Sequence, residues 1–128
     1  MKVLVTGHLG YIGTVLTPMM IKEGFDVVGL DSDLYRRCTF GEGLVDVPNI
    51  QKDIREVELK DIEGFDAVCH LAGLSNDPLG DYDPEITYDI NYRASVRLAE
   101  ISKQAGVKRF VFSSSCSCYG AAGNAMLT

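Results

Sequence analysis

No stretch of this sequence approaches the roughly 18 consecutive apolar residues that a membrane-spanning helix requires. The opening Met1-Lys2-Val3-Leu4-Val5-Thr6-Gly7 carries an apolar run too short for a secretory signal and reads as a first strand. Basic residues are scarce as well: 12 Lys and Arg stand against 18 Asp and Glu, a formal charge of −6. Nucleic-acid binding rests on clustered cations, so no nucleic-acid partner and no membrane partner is expected. The short pairs Arg36-Arg37 and Lys108-Arg109 read as solvated surface. Cys38, Cys69, Cys116 and Cys118 lack the C-x-x-C spacing of zinc sites. No metal is expected, and reduced thiols in a cytoplasmic protein are the default. The sequence also has no evident linker and no internal repeat.

What is present has the composition of an ordinary globular domain, 46% hydrophobic and 23% charged. At 128 residues the expectation is one domain over residues 1–128. The β-branched run Lys2–Thr6 is followed by helical spacing at Ile12, Val15, Leu16, Met19 and Met20. This predicts a helix over residues 11–23, kinked at Pro18, with Gly24 at its end and a second strand over residues 26–31. Residues 32–48, with turn signals at Gly41, Gly43 and Pro48, read as an irregular connection. A short third strand is expected near residues 50–52, and the continuous apolar run over residues 66–72 reads as a fourth, buried on both faces.

The longest predicted helix covers residues 84–105, capped by Asp83, with Pro84 in its first turn and Gly106 beyond its end. Ile86, Ile90, Ala94, Leu98 and Ile101 make one apolar stripe, and Tyr88, Tyr92, Val96 and Ala99 make another. One stripe suits the sheet and the second a further helix. Phe110-Val111-Phe112 starts a fifth strand that runs into Ser113-Ser114-Ser115, and residues 120–128 have no clear periodicity. Strands alternating with helices predict an α/β fold: a Rossmann-type, doubly wound parallel sheet of about five strands.

The chemistry concentrates after the first strand. Gly7, Gly10 and Gly13 stand between strand and helix, where missing side chains let backbone approach a pyrophosphate and the helix N-terminus offers N–H groups. The spacing is G-x-x-G-x-x-G, which departs from the G-x-G-x-x-G fingerprint and by itself also fits a plain glycine-rich turn. Asp31 closes the second strand eighteen positions after Gly13, where an acid accepts hydrogen bonds from an adenosine ribose. Strand, glycines, helix, strand and acid in that order predict a dinucleotide site. A carboxylate there disfavours a 2′-phosphate and so favours NAD over NADP, although Arg36 or Arg37 could fold back toward such a phosphate. Histidine titrates near neutrality, but His8 on the glycine loop and His70 inside a strand have no evident nucleophile partner.

Taken together, Val5-Thr6-Gly7-His8-Leu9-Gly10-Tyr11-Ile12-Gly13, Leu30-Asp31, Asp53-Ile54-Arg55, His70-Leu71-Ala72-Gly73, Asn91 and Phe112-Ser113-Ser114-Ser115-Cys116-Ser117-Cys118-Tyr119-Gly120 make a specific set. On these landmarks the chain resembles the extended short-chain dehydrogenase/reductase family, in particular its NAD-dependent epimerases and dehydratases of nucleotide sugars. The resemblance implies that Tyr11 and Ile12 present backbone to the pyrophosphate, that Asp31 holds the adenosine ribose, and that Asp53 with Ile54 flanks the adenine. It further implies that Leu71, Ala72, Gly73 and Ser113 line the cofactor, that Asn91 lies near it, and that Ser115 is the catalytic serine that hydrogen-bonds the reacting sugar hydroxyl. Read without the family, Asp53 is a turn or cap residue, residues 71–73 are a strand end, Asn91 satisfies backbone locally, and a Ser-Ser-Ser run is a polar loop.

The same resemblance implies a general base, a tyrosine in a Tyr-x-x-x-Lys pair on the helix after the fifth strand, whose pKa the lysine lowers. The sequence ends thirteen residues after Ser115, and Tyr119 has no lysine four positions later. The expectation is therefore a fold truncated before that helix and before the substrate region, inactive alone and prone to self-association through an exposed strand edge or the 84–105 helix. A non-catalytic NAD-binding or assembly module is the alternative.

Overall fold

In a computed structural model of the chain, residues 1–36, 38, 45–75 and 77–115 are described. Arg37, Gly41, Gly43, Cys116, Cys118, Tyr119 and the 120–128 tail, all named above, lie outside the described residues. Strands β1 (Lys2–Thr6), β2 (Asp26–Asp31), β3 (Asn49–Gln51), β4 (Ala67–His70) and β5 (Arg109–Phe112) form one parallel sheet in the order β3-β2-β1-β4-β5. That is the expected doubly wound sheet. Strand β1 is central, its Leu4 registered with Val28 on one side and Val68 on the other.

The period-2 alternation of each strand divides the apolar residues between two layers. On one face Leu4, Leu30 and Val68 pack with Ile54, Val57, Ile62, Phe65, Ala94 and Leu98. On the other, Val3, Val5, Val27 and Ala67 meet Met20, Phe25, Cys69 and Leu71. Two short 3₁₀ turns, Ile54–Glu56 and Leu59–Asp61, bring Ile54 and the residues that follow each turn, Val57 and Ile62, into the first layer. No element was assigned to this stretch from sequence, because three-residue turns leave no periodicity to read.

Helix α1 (Gly13–Lys22) runs through Pro18. Its buried positions are Gly13 and Thr17, while Ile12, Val15 and Met19 are exposed, contrary to the expected apolar face. The close seating of Gly13 on the preceding loop fixes the helix rotation, so Gly13 and Thr17 are buried and Met20 meets the sheet, while Ile12, Val15 and Met19 turn outward. After α2 (Asp77–Tyr82), α3 (Pro84–Tyr88) is capped by Asp83, whose side chain accepts from the Ile86 N–H at 3.1 Å. The predicted single helix then departs from α geometry: residues Asp89–Arg93 form a π turn before α4 (Ala94–Gln104). Ala94 and Leu98 are buried with Ile90 and Ile101 against them, as the first stripe required, but Ile86 is exposed. The second stripe, Tyr88, Tyr92 and Val96, faces outward. No helix of the described residues is long and apolar enough to cross a membrane.

One polar residue sits in the middle of this packing. His70 is 1% exposed at the end of β4, with its ring beside Phe110 and Phe112 at centroid distances of 6.1 and 5.5 Å. Burial pushes its pKa down from 6.5 to about 4. The unfolded chain therefore binds a proton in the interval between those values that the folded chain refuses, so stability is full above pH 6.5 and is lost as pH falls toward 4. The loss should reach roughly 3 kcal/mol, and His8, whose pKa burial also lowers, acts in the same direction. Urea denaturation midpoints measured from pH 7.5 to 4.5 would show this slope; a flat profile would contradict it.

Candidate functional site

All five strands point the same way, so their C-terminal ends share one edge of the sheet, and the strand order reverses between β1 and β4, with β2 and β3 laid to one side of that point and β5 to the other. Open α/β sheets bind ligands at such a switch point. Here a crevice open to solvent is lined by Gly7, Leu9 and Gly10 after β1, Asp31 and Asp33 after β2, Asp53 and Ile54 after β3, and Leu71 to Leu74 after β4.

The floor is built on glycine. Gly7 has φ +73°, its N–H donates to the Leu30 carbonyl at 2.8 Å, and a Cβ on it would lie 2.7 Å from the Ala72 nitrogen. A Cβ on Gly13 would lie 2.3 Å from the Gly7 carbonyl oxygen and 2.5 Å from the His8 Cα. The loop can thus fold tightly between β4 and α1 only with hydrogen at both positions. Ile12 occupies the N-cap of α1 without a side-chain capping bond, and the first turn holds no acidic residue. The Thr14 and Val15 N–H groups donate to the Gly10 and Ile12 carbonyls at 3.0 and 3.1 Å, and the positive end of the helix dipole still suits an anion. Tyr11 and Ile12, at this end of the helix, are exposed.

Asp31 is anchored before any ligand arrives: one carboxylate oxygen accepts from the Leu9 N–H at 3.0 Å and the other from the Asp33 N–H at 2.9 Å. A carboxylate has about four acceptor positions, so two remain for hydroxyl donors. Asp33 adds a second carboxylate at this end, in a left-handed conformation at φ +57°. Arg36 lies within 3.7 Å of Asp33 and is otherwise exposed.

Asp53 does two things. It caps the first 3₁₀ turn by accepting from the Arg55 N–H at 2.9 Å, and it pairs with the Arg55 guanidinium at 2.7 and 3.0 Å. Hydrogen bonds from Arg55 hold its pKa below the usual carboxylate range. Its carboxylate also contributes to the crevice wall, while Ile54 is shared between the wall and the core.

Asn91 does not serve its own helix. From the π turn its Oδ1 accepts from the Leu74 N–H and its Nδ2 donates to the Leu74 carbonyl, both at 2.8 Å, which pins the irregular segment following β4. Gly73 lies close to this clamp: a Cβ would fall 3.2 Å from Asn91 Oδ1, so the amide would have to yield by a few tenths of an ångström. Ser113 donates its N–H to the His70 carbonyl at 3.0 Å, just past β5, and Ser115 follows, exposed. Asn91, Ser113 and Ser115 stand outside the crevice lining.

His8 differs from its expected place. Although the residue follows Gly7 in the loop, its ring is buried beneath it, so near Gly29 that a Cβ there would lie 2.4 Å from three ring atoms. Desolvation lowers its pKa, opposed by Asp31, whose carboxylate is 4.0 Å away. Glycine inside the apolar strand β2 was the available signal, because such a residue marks a close approach. The two cysteines described, Cys38 and Cys69, are unpaired.

Residues 3–126 match the model of a family described as the NAD dependent epimerase/dehydratase family. The chain is 35% identical to a UDP-glucose 4-epimerase of Klebsiella pneumoniae over 94% of this chain and 93% of that one. It is 36% identical to a UDP-glucose 4-epimerase of Neisseria meningitidis serogroup C, over 99% of this chain but only 40% of the relative. A UDP-glucose-4-epimerase structure from Stenotrophomonas maltophila, with bound NAD and formylated UDP-arabinopyranose, superposes with a TM-score of 0.81 at 32% identity. That match covers 94% of this chain and 38% of the solved one.

Gly13→Ala should be poorly tolerated, because the loop must move away from a methyl group placed 2.3 Å from a carbonyl oxygen. Overpacking of this kind costs about 1–3 kcal/mol. A urea midpoint equal to wild type would show that the loop has slack.

Proposed function

The chain belongs to the NAD dependent epimerase/dehydratase family, and from that premise we propose that residues 1–128 form the NAD-binding domain of an oxidoreductase acting on nucleotide sugars. The crevice at the switch point carries this reading, because it joins a glycine-built loop after β1 to an anchored carboxylate at the end of β2. These features fit NAD. When bound, NAD supplies the acceptor and donor for a hydride leaving and returning to a sugar carbon.

The residues divide the work of binding. Gly7, Gly10 and Gly13, with the backbone of Tyr11 and Ile12, admit and hold the pyrophosphate, and Asp31 accepts from the adenosine ribose hydroxyls. Asp53 and Ile54 flank the adenine, while Leu71, Ala72, Gly73 and Ser113 border the remainder of the cofactor, with Asn91 behind them. Ser115 orients the sugar hydroxyl from the end of β5. Asp31 and Asp33 together oppose a 2′-phosphate, and Arg36 is already beside Asp33.

These 128 residues contain no Tyr-x-x-x-Lys pair. By themselves they bind cofactor and turn over little. The unpaired thiols of Cys38 and Cys69 suit a reducing, cytoplasmic setting. Self-association is also part of the reading. Among the described residues β5 pairs only with β4, leaving Val111 and Phe112 59% and 52% exposed, and the Tyr88, Tyr92 and Val96 surface is uncovered.

Calorimetric titration with NAD, NADH and NADP should give binding of the first two and at least about tenfold weaker binding of NADP. Asp31→Ala should weaken NAD about tenfold, the scale of a lost charge-assisted hydrogen bond. No binding of any of the three would sink the proposal. Turnover of UDP-glucose restored by a complementing C-terminal polypeptide separates an enzyme domain from a non-catalytic module. Light scattering after size exclusion should return a dimer or larger species, and a monomer at every concentration would count against association.

A further inference from the structure

The buried polar residues of β1, β4 and the helical segment are usually core hydrogen-bonding groups, but here they form one continuous path that starts and ends at the crevice wall. The Ala72 N–H donates to Thr6 Oγ1 at 3.3 Å, and Thr6 Oγ1 lies 2.7 Å from His70 Nδ1. On the other side His70 Nε2 lies 2.8 Å from Ser95 Oγ, which donates to the Asn91 carbonyl at 2.8 Å. The Asn91 amide then takes both the N–H and the carbonyl of Leu74.

The directions along this path follow from proton counting. Ser95 has one hydroxyl proton and gives it to Asn91, so it can only accept from His70, which must carry its proton on Nε2. A neutral imidazole then has a bare Nδ1, which accepts the Thr6 hydroxyl proton, leaving the Thr6 oxygen to accept from Ala72. Every donor is used once. Thr6 is 0% and His70 1% exposed, so water cannot substitute for a missing member.

We propose that His70 is a positioning residue of the cofactor crevice: its two ring nitrogens close the hydrogen-bonded ring that holds the Ala72, Gly73 and Leu74 backbone in place to face NAD. This rests on the assignment of NAD to the crevice and adds a residue that does not touch the cofactor. The π turn belongs to the same device, because it contains the Asn91 whose side chain and carbonyl join the two halves of the ring. The carbonyl of His70 also holds Ser113 at the end of β5, so the neighbouring strand end depends on the same residue.

His70→Phe keeps a ring between Phe110 and Phe112 and removes both nitrogens. Amide hydrogen exchange without cofactor should quicken at Ala72 and Leu74 by about tenfold relative to Leu4 in β1, and NAD should bind about tenfold more weakly. A purely global destabilisation would instead speed Leu4 equally and leave NAD affinity of the folded protein within twofold of wild type; that result overturns the proposal. Should His70→Phe fail to fold, Ser95→Ala breaks the ring at its helical side, and unchanged exchange at Leu74 in that variant overturns the proposal equally. Failure of wild type to bind NAD would overturn the cofactor reading alone, since the exchange measurement still decides whether the ring holds residues 72–74.

Discussion

The close approach of Gly7 to Ala72 governs the rest of the architecture. A parallel sheet places the exits of β1 and β4 side by side, and the chain leaving β1 must turn at once to start α1 without colliding with the chain leaving β4. Gly7 and Gly13 make that turn possible, and their positions set the rotation of α1 and the burial of His8 beneath the loop. Larger residues at either position would push apart elements whose hydrogen bonds and packing depend on one another. The exposed Ile12, Val15 and Met19 face follows from the same constraint.

On the opposite side of the crevice the organisation is polar. A helix placed over a sheet usually contributes apolar side chains only, yet here Ser95 and Asn91 reach from the helical segment to His70 and Leu74. The π turn gives that part of the helix its departure from regular geometry, a feature often found at functional positions. Burying an imidazole is costly unless both nitrogens are satisfied, and Thr6 and Ser95 satisfy them. The segment after β4 is thus hydrogen-bonded to groups of the interior at Ala72 and Leu74.

The family membership and the crevice support one another through different observations. The family match spans nearly the whole chain, whereas the crevice rests on a switch point, a glycine floor and acids at the ends of β2 and β3. The chain spans about two fifths of the length of the Neisseria relative and of the Stenotrophomonas structure. The strand ends that line the crevice all lie within these 128 residues.

Sequence alone determined the five parallel strands, the glycine loop, the acid closing β2 and the Asp83 cap, because each is a local pattern: alternation, spacing or a residue type with a single backbone preference. It also separated the stripe of Ile90, Ala94 and Leu98 that meets the sheet from the tyrosines that do not. Residues 54–61 were silent, since 3₁₀ turns are too short for periodicity, and Ile86 and the α1 face were misjudged because rotation is set by Gly13 and not by apolar spacing. Only the tertiary structure decided that Asn91 clamps Leu74 seventeen residues away, that His8 lies under the loop against Gly29, and that Thr6, His70 and Ser95 meet in one chain of hydrogen bonds. Those partners are distant in sequence, and a hydrogen bond between them exists only when the sheet and helix have already brought their backbones together.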